Sequence, residues 1–229
     1  MKKRVFALSR REQLWGFGYL LFQLFLLPSI LNHLNAVLPV SLSESGINLI
    51  FFILNFTAVC LIFPRLLKQS VRSVQTAPRH CILTALLGLG LYYVANIAVS
   101  VFIVSLAPDY FNANDQSIGQ MVQADFWPIF LGTVLLVPLT EETLFRGLVF
   151  GSLHGRNRVW AYVLSALLFA LIHVAGYIGQ QTPVFLLLSC LQYLPAGVVL
   201  AFVYEKTDSI LTGTAVHMTV NVIGLLALR

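Results

Sequence analysis

Charge is scarce in this sequence. Only 10% of its 229 residues are Asp, Glu, Lys or Arg, against roughly a quarter in a soluble domain, so water is not the main solvent of the folded chain. Cysteine is scarce too. Cys60, Cys81 and Cys190 stand in or beside apolar runs without C-x-x-C spacing, which argues against a disulfide framework and a thiolate metal cluster and leaves them as small hydrophobes. No internal repeat, low-complexity tract or linker divides the chain, and the short alternating strands of a β-barrel are missing. Neither G-x-S-x-G nor H-E-x-x-H occurs. The basic N-terminus is followed by no small-residue cleavage site, and Asn32-His33-Leu34-Asn35 is a poor one. A retained first helix is therefore expected, not a removed signal.

What the chain has in abundance is apolar length. Hydrophobic residues make up 58% of it and the mean hydropathy is +0.84. A bilayer core of ~30 Å takes about 20 mainly apolar residues in a helix. Seven such runs are read at roughly 14–31, 47–67, 81–106, 127–151, 159–178, 183–204 and 208–228, the end of the first being blurred by Pro28, Asn32 and Pro39. The expected fold is all-α, a polytopic transmembrane helical bundle of about seven helices forming one integrated membrane domain.

The net charge of +5 invites a nucleic-acid partner, but its placement argues for a membrane instead. Of 14 Lys and Arg, twelve fall on alternate segments: Lys2, Lys3, Arg4, Arg10 and Arg11, then Arg65, Lys68, Arg72 and Arg79, then Arg156 and Arg158, then Lys206. The intervening loops carry Glu44, Asp109, Asp115 and Asp125, and only Arg146 and Arg229 break the pattern. The positive-inside rule then expects a cytoplasmic N-terminus and an outer C-terminus, with the basic segments available to anionic lipid.

Against this background the ionisable residues at membrane depth stand out, since each is costly there and such residues mark function. They are Glu141, Glu142, Arg146, His173 and His217. At ~1.5 Å per residue, Glu141, His173 and His217 lie about 15, 20 and 14 Å from the cytoplasmic ends of their helices. Three helices thus bring two carboxylates and two imidazoles to one layer. Glu142 and Arg146 are i,i+4 neighbours in the favourable order, so Arg146 is expected to neutralise Glu142 and leave Glu141 facing a cavity. Pro138 cannot donate to the carbonyl of Val134. A kink or break there would aim a helix dipole near Glu141.

Taken singly these residues have plain explanations: a structural ion pair, an interhelical hydrogen bond from His173, and an imidazole of His217 oriented by Asn221 at i,i+4. Their coincidence at one depth points to a site. A carboxylate beside an imidazole can activate water and return the proton to a leaving amine. Glu141, His173 and His217 are also ligand types for a catalytic zinc, and His217 with the Asn221 amide could hold an oxyanion. A Ser165–His173 arrangement is weaker, and aspartyl chemistry lacks intramembrane aspartates, every Asp being read as loop or edge. Two other functions compete, an ion-coupled transporter using the same residues as a proton relay and a non-catalytic immunity or scaffold protein. The first lacks paired halves with matching broken helices.

Three motifs now carry a resemblance. E-E-x-x-x-R reads Glu141-Glu142-Thr143-Leu144-Phe145-Arg146, F-x-x-x-H reads Phe169-Ala170-Leu171-Ile172-His173, and H-x-x-x-N reads His217-Met218-Thr219-Val220-Asn221. Complete, in order and on separate helices, they resemble the CAAX-protease and bacteriocin-processing family of intramembrane endopeptidases (CPBP, also called Abi). The resemblance covers about 127–228. It makes 127–229 the catalytic helices and 1–126 the variable N-terminal part. It implies a bundle of eight helices or fewer around a cavity that admits a peptide end. Glu141 would activate water with His173 as partner, His217 and Asn221 would stabilise the oxyanion, and Glu142 and Arg146 would be structural. The family has been described both as metalloproteases, here with one zinc, and as metal-independent glutamate proteases. The implied substrate is a membrane-associated protein or peptide, a CAAX-type tail or a peptide precursor, and the expected location is the bacterial plasma membrane.

Of the remaining features, His33, His80 and His154 read as solvated or turn residues, and Gly88 and Gly90 as close helix packing. Pro195-Ala196-Gly197, with Gln192 a turn away, reads as a kink that could open a lateral gate. Trp127 and Trp160 read as interfacial anchors.

Overall fold

The helices begin where the local chemistry supplies caps or prolines. The computed structural model describes residues 5–228, so Lys2, Lys3, Arg4 and Arg229 lie outside the described residues. Ser9 and Glu12 form a reciprocal capping box at the start of α1 (Arg10–Phe25). Helix α2 (Leu27–Val37) follows at a 46° bend. The run expected at 14–31 is therefore two helices, because Pro28 sits in the first turn of α2, where its missing N–H costs nothing. Ser43 caps α3 (Glu44–Ile62), and Pro64 then opens α4 (Pro64–Thr76) and Pro78 opens α5 (Pro78–Leu106). The span expected at 47–67 thus stops at Ile62, and the basic segment after it is an amphipathic helix with Leu66 and Ser70 buried.

A second segment read as a loop is also helical. Asn112 accepts from the backbone N–H groups of Asn114 and Asp115 and starts α6 (Ala113–Ala124). The rest of the chain is α7 (Phe126–His154), α8 (Arg158–Tyr177, its last turn 3₁₀), α9 (Pro183–Thr207) and α10 (Ile210–Leu228). No strand occurs among the described residues, only an isolated Ile178–Gln181 bridge. The fold is all-α.

Among the described residues six helices are long and apolar enough to cross a membrane, or seven if the bent α1–α2 pair is one span. Their apolar side chains point outward. On α5, Ile82, Leu86, Val94, Ile97 and Val101 are exposed, whereas Glu142 and Arg146 are fully buried. That inversion suits a lipid surround, and the chain is an integral membrane protein. Helix–helix contact relies on small residues. A Cβ on Gly197 would stand 2.7 Å from the Ala166 Cα, and one on Gly88 2.5 Å from Val203. Gly90, expected to pack likewise, faces open space.

The basic segments gather at one end of the bundle. The Phe6 N–H donates to Asp208 Oδ1 at 2.6 Å and Gln69 donates to Asp208 Oδ2 at 3.1 Å. Ser209 and Ile210 bond to Ser70, and His80 reaches the Lys206 carbonyl at 3.0 Å. Arg158, His154 and Tyr162 converge on Glu205, so His154 is partnered where a solvated turn was expected. In a background with Cys60, Cys81 and Cys190 replaced by Ala, cysteines at Gln75 and Arg156 are expected to react with impermeant maleimide from one side of the membrane, the cytoplasmic one. Cysteines at Asp109 and Gln180 should react from the other. Labelling of Gln75→Cys and Asp109→Cys from the same side would overturn this topology.

Candidate active site

The site is built around α7, which is not a regular helix. Its stretches Leu131–Leu136 and Glu142–Phe150 are π-helical, and such turns recur at functional sites. The first is a consequence of Pro138. In π register the Val137 N–H reaches Gly132, so the next amide would reach Thr133, and proline has none. The orphaned Thr133 carbonyl takes its hydrogen bond from Asn221 Nδ2 of α10, at 2.7 Å. The helix neither breaks nor presents a free N-terminus near Glu141, contrary to the sequence expectation: widening of the turn and a side chain from another helix make up for the missing donor.

From Glu141 a chain of polar contacts runs inward. Glu141 Oε2 lies 3.8 Å from His217 Nε2, and His217 Nδ1 lies 3.2 Å from Glu142 Oε1. The same oxygen is 3.2 Å from Arg146 NH1, both side chains being fully buried. Arg146 NH2 donates to the carbonyls of Ala196 and Gly197 at 3.2 and 3.3 Å, and its Cζ lies 4.4 Å from the centre of the Phe169 ring. Gly213 makes the Glu142 contact possible, since a Cβ there would stand 2.9 Å from Glu142 Oε2. The expected Glu142–Arg146 pair is thus present. His217 joins it from α10, which helical spacing alone had no means to indicate.

Glu141 opens onto a cavity of about 890 Å³ that also receives His173, His217 and Asn221. His173 Nδ1 lies 2.8 Å from the Phe169 carbonyl; it must be the donor, which leaves Nε2 as the acceptor of the ring. The imidazole stacks on Tyr193 at 4.2 Å. The residues expected at one depth line one cavity. The pairing within it differs: the imidazole within 4 Å of Glu141 is that of His217, not His173. Asn221 makes its bond to Thr133 and not to His217. Ser165 is fully buried and donates to the Phe145 carbonyl at 2.8 Å, which removes it as a nucleophile.

Glu141, His173 and His217 do not form a zinc centre in this arrangement. Among the described residues no three His, Cys, Asp or Glu side chains group closely enough to hold a metal ion. His217 lies beside Glu141 and His173 stacks on Tyr193, with the Phe169 ring against both imidazoles.

Asp115 is the residue the sequence reading missed. Read as an outer-loop acid, it lies in the first turn of α6 and lines the same cavity. Its Oδ1 accepts from the Tyr193 hydroxyl at 3.0 Å, and Tyr193 also accepts from Asn114. Gln192 accepts from Tyr110 and Asn112, so α6 is docked on α9 by a polar joint. Burial raises the Asp115 carboxyl above its ordinary pKa, while the Tyr193 hydroxyl and the nearby His173 pull it back down. The Asn112-x-x-Asp115 capping pattern was the available signal.

Residues 123–223 match the family model described as type II CAAX prenyl endopeptidase Rce1-like. The resemblance read from the three motifs holds over the stretch that contains them. UPF0177 protein YxdF of Lactococcus lactis subsp. lactis (strain IL1403) is 34% identical over 95 residues, 42% of this chain and 47% of that protein. UPF0177 protein YajF of the same strain is 33% identical over 81 residues, 35% of this chain and 34% of the relative. An uncharacterized 24.3 kDa protein of Escherichia coli is 30% identical over 92 residues, 40% of each chain. The chain spans about half or less of the length of these relatives. No solved structure gives a significant match.

Removing one partner of a buried ion pair strands the other, at a cost of about 3–5 kcal/mol. Arg146→Met is therefore expected to lower the yield of folded, detergent-stable protein sharply, and Glu142→Gln in addition should recover part of the loss. The double-mutant cycle measures the coupling; strictly additive losses would mean the two side chains do not stabilise one another.

Proposed function

We propose that this chain, whose residues 123–223 match a family of CAAX prenyl endopeptidases, is an intramembrane endopeptidase in which Glu141 activates water. The observation that supports this reading most is the difference between adjacent glutamates. Glu142 is fully buried against Arg146 and His217, whereas Glu141 opens onto the cavity; the Oε2 of each accepts no protein hydrogen bond, and only that of Glu141 belongs to a residue of the cavity wall. A carboxylate left without a donor inside a membrane bundle is costly, and a bound water supplies that donor.

The chemistry uses protein groups and water alone. Water attacks the peptide carbonyl carbon, its proton passes to Glu141, and the C=O electrons become an oxyanion. Glu142 holds the Nδ1–H of His217. A second proton on that ring would make the set of two carboxylates and one guanidinium neutral, and Nε2–H would then donate to the oxyanion. The second amide hydrogen of Asn221, left over from its bond to Thr133, is a further donor. When the intermediate collapses the C–N bond breaks, and the amine takes the proton from Glu141, with His173 Nε2 as the relay. Asn221 also keeps α7 intact at Pro138, so its loss would act on folding as well as on chemistry.

The substrate is a membrane-associated protein or peptide, either a CAAX-type tail or a precursor peptide, cleaved in a bacterial plasma membrane with the N-terminus of the protease in the cytoplasm. Glu141→Gln keeps size and hydrogen bonding but removes basicity, so cleavage should fall at least ~10²-fold with little change in folding. His173→Ala should lose a similar factor, and the double variant little more, since groups acting as one unit are not additive. The measurement is turnover of quenched peptides by purified protein, with terminal proteomics of cells carrying wild type or Glu141→Gln. Wild-type turnover by Glu141→Gln would sink the mechanism.

A further inference from the structure

The cavity is one-signed. Among the described residues its charged lining consists of Glu44 at the exposed rim, Asp115 and Glu141, beside the two histidines, with no lysine or arginine. The Arg146 guanidinium is fully buried against Glu142 and two backbone carbonyls and is not part of the cavity lining. Of the acids, Glu141 is occupied by the proposed chemistry. Asp115 is not: Oδ1 takes the Tyr193 hydroxyl, and among the described residues no lysine or arginine lines the cavity beside the carboxylate, whose nearest basic neighbour is the His173 imidazole. Half buried, and with one imidazole as its basic neighbour, it is stabilised further when a ligand brings a full positive charge to it.

Asp115 also stands at a fixed remove from the chemistry. Tyr193 joins the two, its hydroxyl on Asp115 at 3.0 Å and its ring on His173 at 4.2 Å. A group bound at Asp115 is one aromatic side chain away from the imidazole proposed to serve the scissile bond.

The geometry points to Asp115 as a specificity-determining residue that receives an ammonium or guanidinium group of the peptide substrate, next to the bond to be cut. A free C-terminal carboxylate would find no lysine or arginine in this cavity and would face Asp115 and Glu141 instead, a like-charge juxtaposition that rejects a ligand. This reading rests on the protease assignment and chooses within it, favouring an internal or N-terminal cationic segment over a free carboxylate end. Surrounding amides suit such an occupant. Asn114, Gln192 and Asn221 line the cavity and offer both donors and acceptors to an extended backbone that has no water in the bilayer.

The test reads binding apart from turnover. Glu141→Gln protein in detergent is titrated with fluorescein-labelled apolar decapeptides, acetylated and amidated, that differ at one central position as Lys, Gln or Glu. Two further Gln peptides carry a free amine or a free carboxylate. The Lys peptide, the free-amine peptide, or both should bind at least about tenfold more tightly than the Glu peptide, and which of them does so identifies a side chain or an α-ammonium as the ligand. Asp115→Asn should collapse that preference with an unchanged melting temperature, and Asp115→Lys should reverse it toward the Glu and free-carboxylate peptides. Equal binding of all peptides, or a preference that survives Asp115→Asn, overturns the proposal. Failure of Glu141→Gln to abolish cleavage would instead strike the catalytic assignment, which the binding titration does not use.

Discussion

Arg146 is the point at which the three motif-bearing helices meet α9. It stands on α7, bonds two carbonyls of α9, faces the Phe169 ring of α8 and pairs with Glu142, which in turn holds His217 of α10. Lipid gives helices little hydrophobic reason to associate, so polar contacts and close packing must specify how they assemble. A guanidinium with its planar fork can serve several acceptors at once, which an ammonium on a flexible stem does less well. Each helix carrying a residue of the candidate site is thereby fixed to one charge. Pro195 on α9 fits the same plan, since it lies beside the two carbonyls that Arg146 occupies.

Fixing α7 in this way requires it to depart from regular geometry. The π turns on either side of Val137–Glu141 set the direction of both glutamates, and Pro138 is the reason the first one needs outside help. Asn221 provides it through the Thr133 carbonyl. The H-x-x-x-N motif then has two structural reasons for its spacing: His217 reaches Glu142, and one turn on, Asn221 reaches the break in the ladder of the same partner helix. The two residues act on α7 at two levels, which ties the register of α10 to the orientation of Glu141.

Much of this was legible in the sequence because lipid makes polar residues informative. Hydropathy marked the long helices, charge alternation grouped the basic segments that the fold gathers at one end, and the depth of Glu141, His173 and His217 indicated a common layer. The failures have local causes. Composition windows run through Leu26 and Phe63, where caps and prolines divide the chain. The 100° arithmetic of a regular helix ignores π turns, so it gave the Glu142–Arg146 pair but not the contact of His217 with both glutamates. Asp115 was passed over because an acid between hydrophobic runs looks solvated. Only tertiary docking of α6 through Tyr193 and Gln192 brings it to the cavity.

Several polar groups of the bundle interior are consumed by one another, and those left on the cavity wall are open to a ligand. Glu142 is matched by Arg146, the Thr133 carbonyl by Asn221, and the Gln192 oxygen by Tyr110 and Asn112. Glu141 and Asp115 are the exceptions on the cavity wall, one beside His217 and the other beside Tyr193. In a medium without bulk water an unpaired buried oxygen is a standing cost, which suits a water at Glu141, and a carboxylate on the same wall without a lysine or arginine beside it suits the group of positive charge proposed at Asp115. The same logic accounts for the seclusion of Arg146. Were its guanidinium to reach the cavity, it would neutralise Glu141 and offer a carboxylate a place to bind; held by Glu142 and the α9 backbone, it stabilises the helices without changing the sign of the space they enclose.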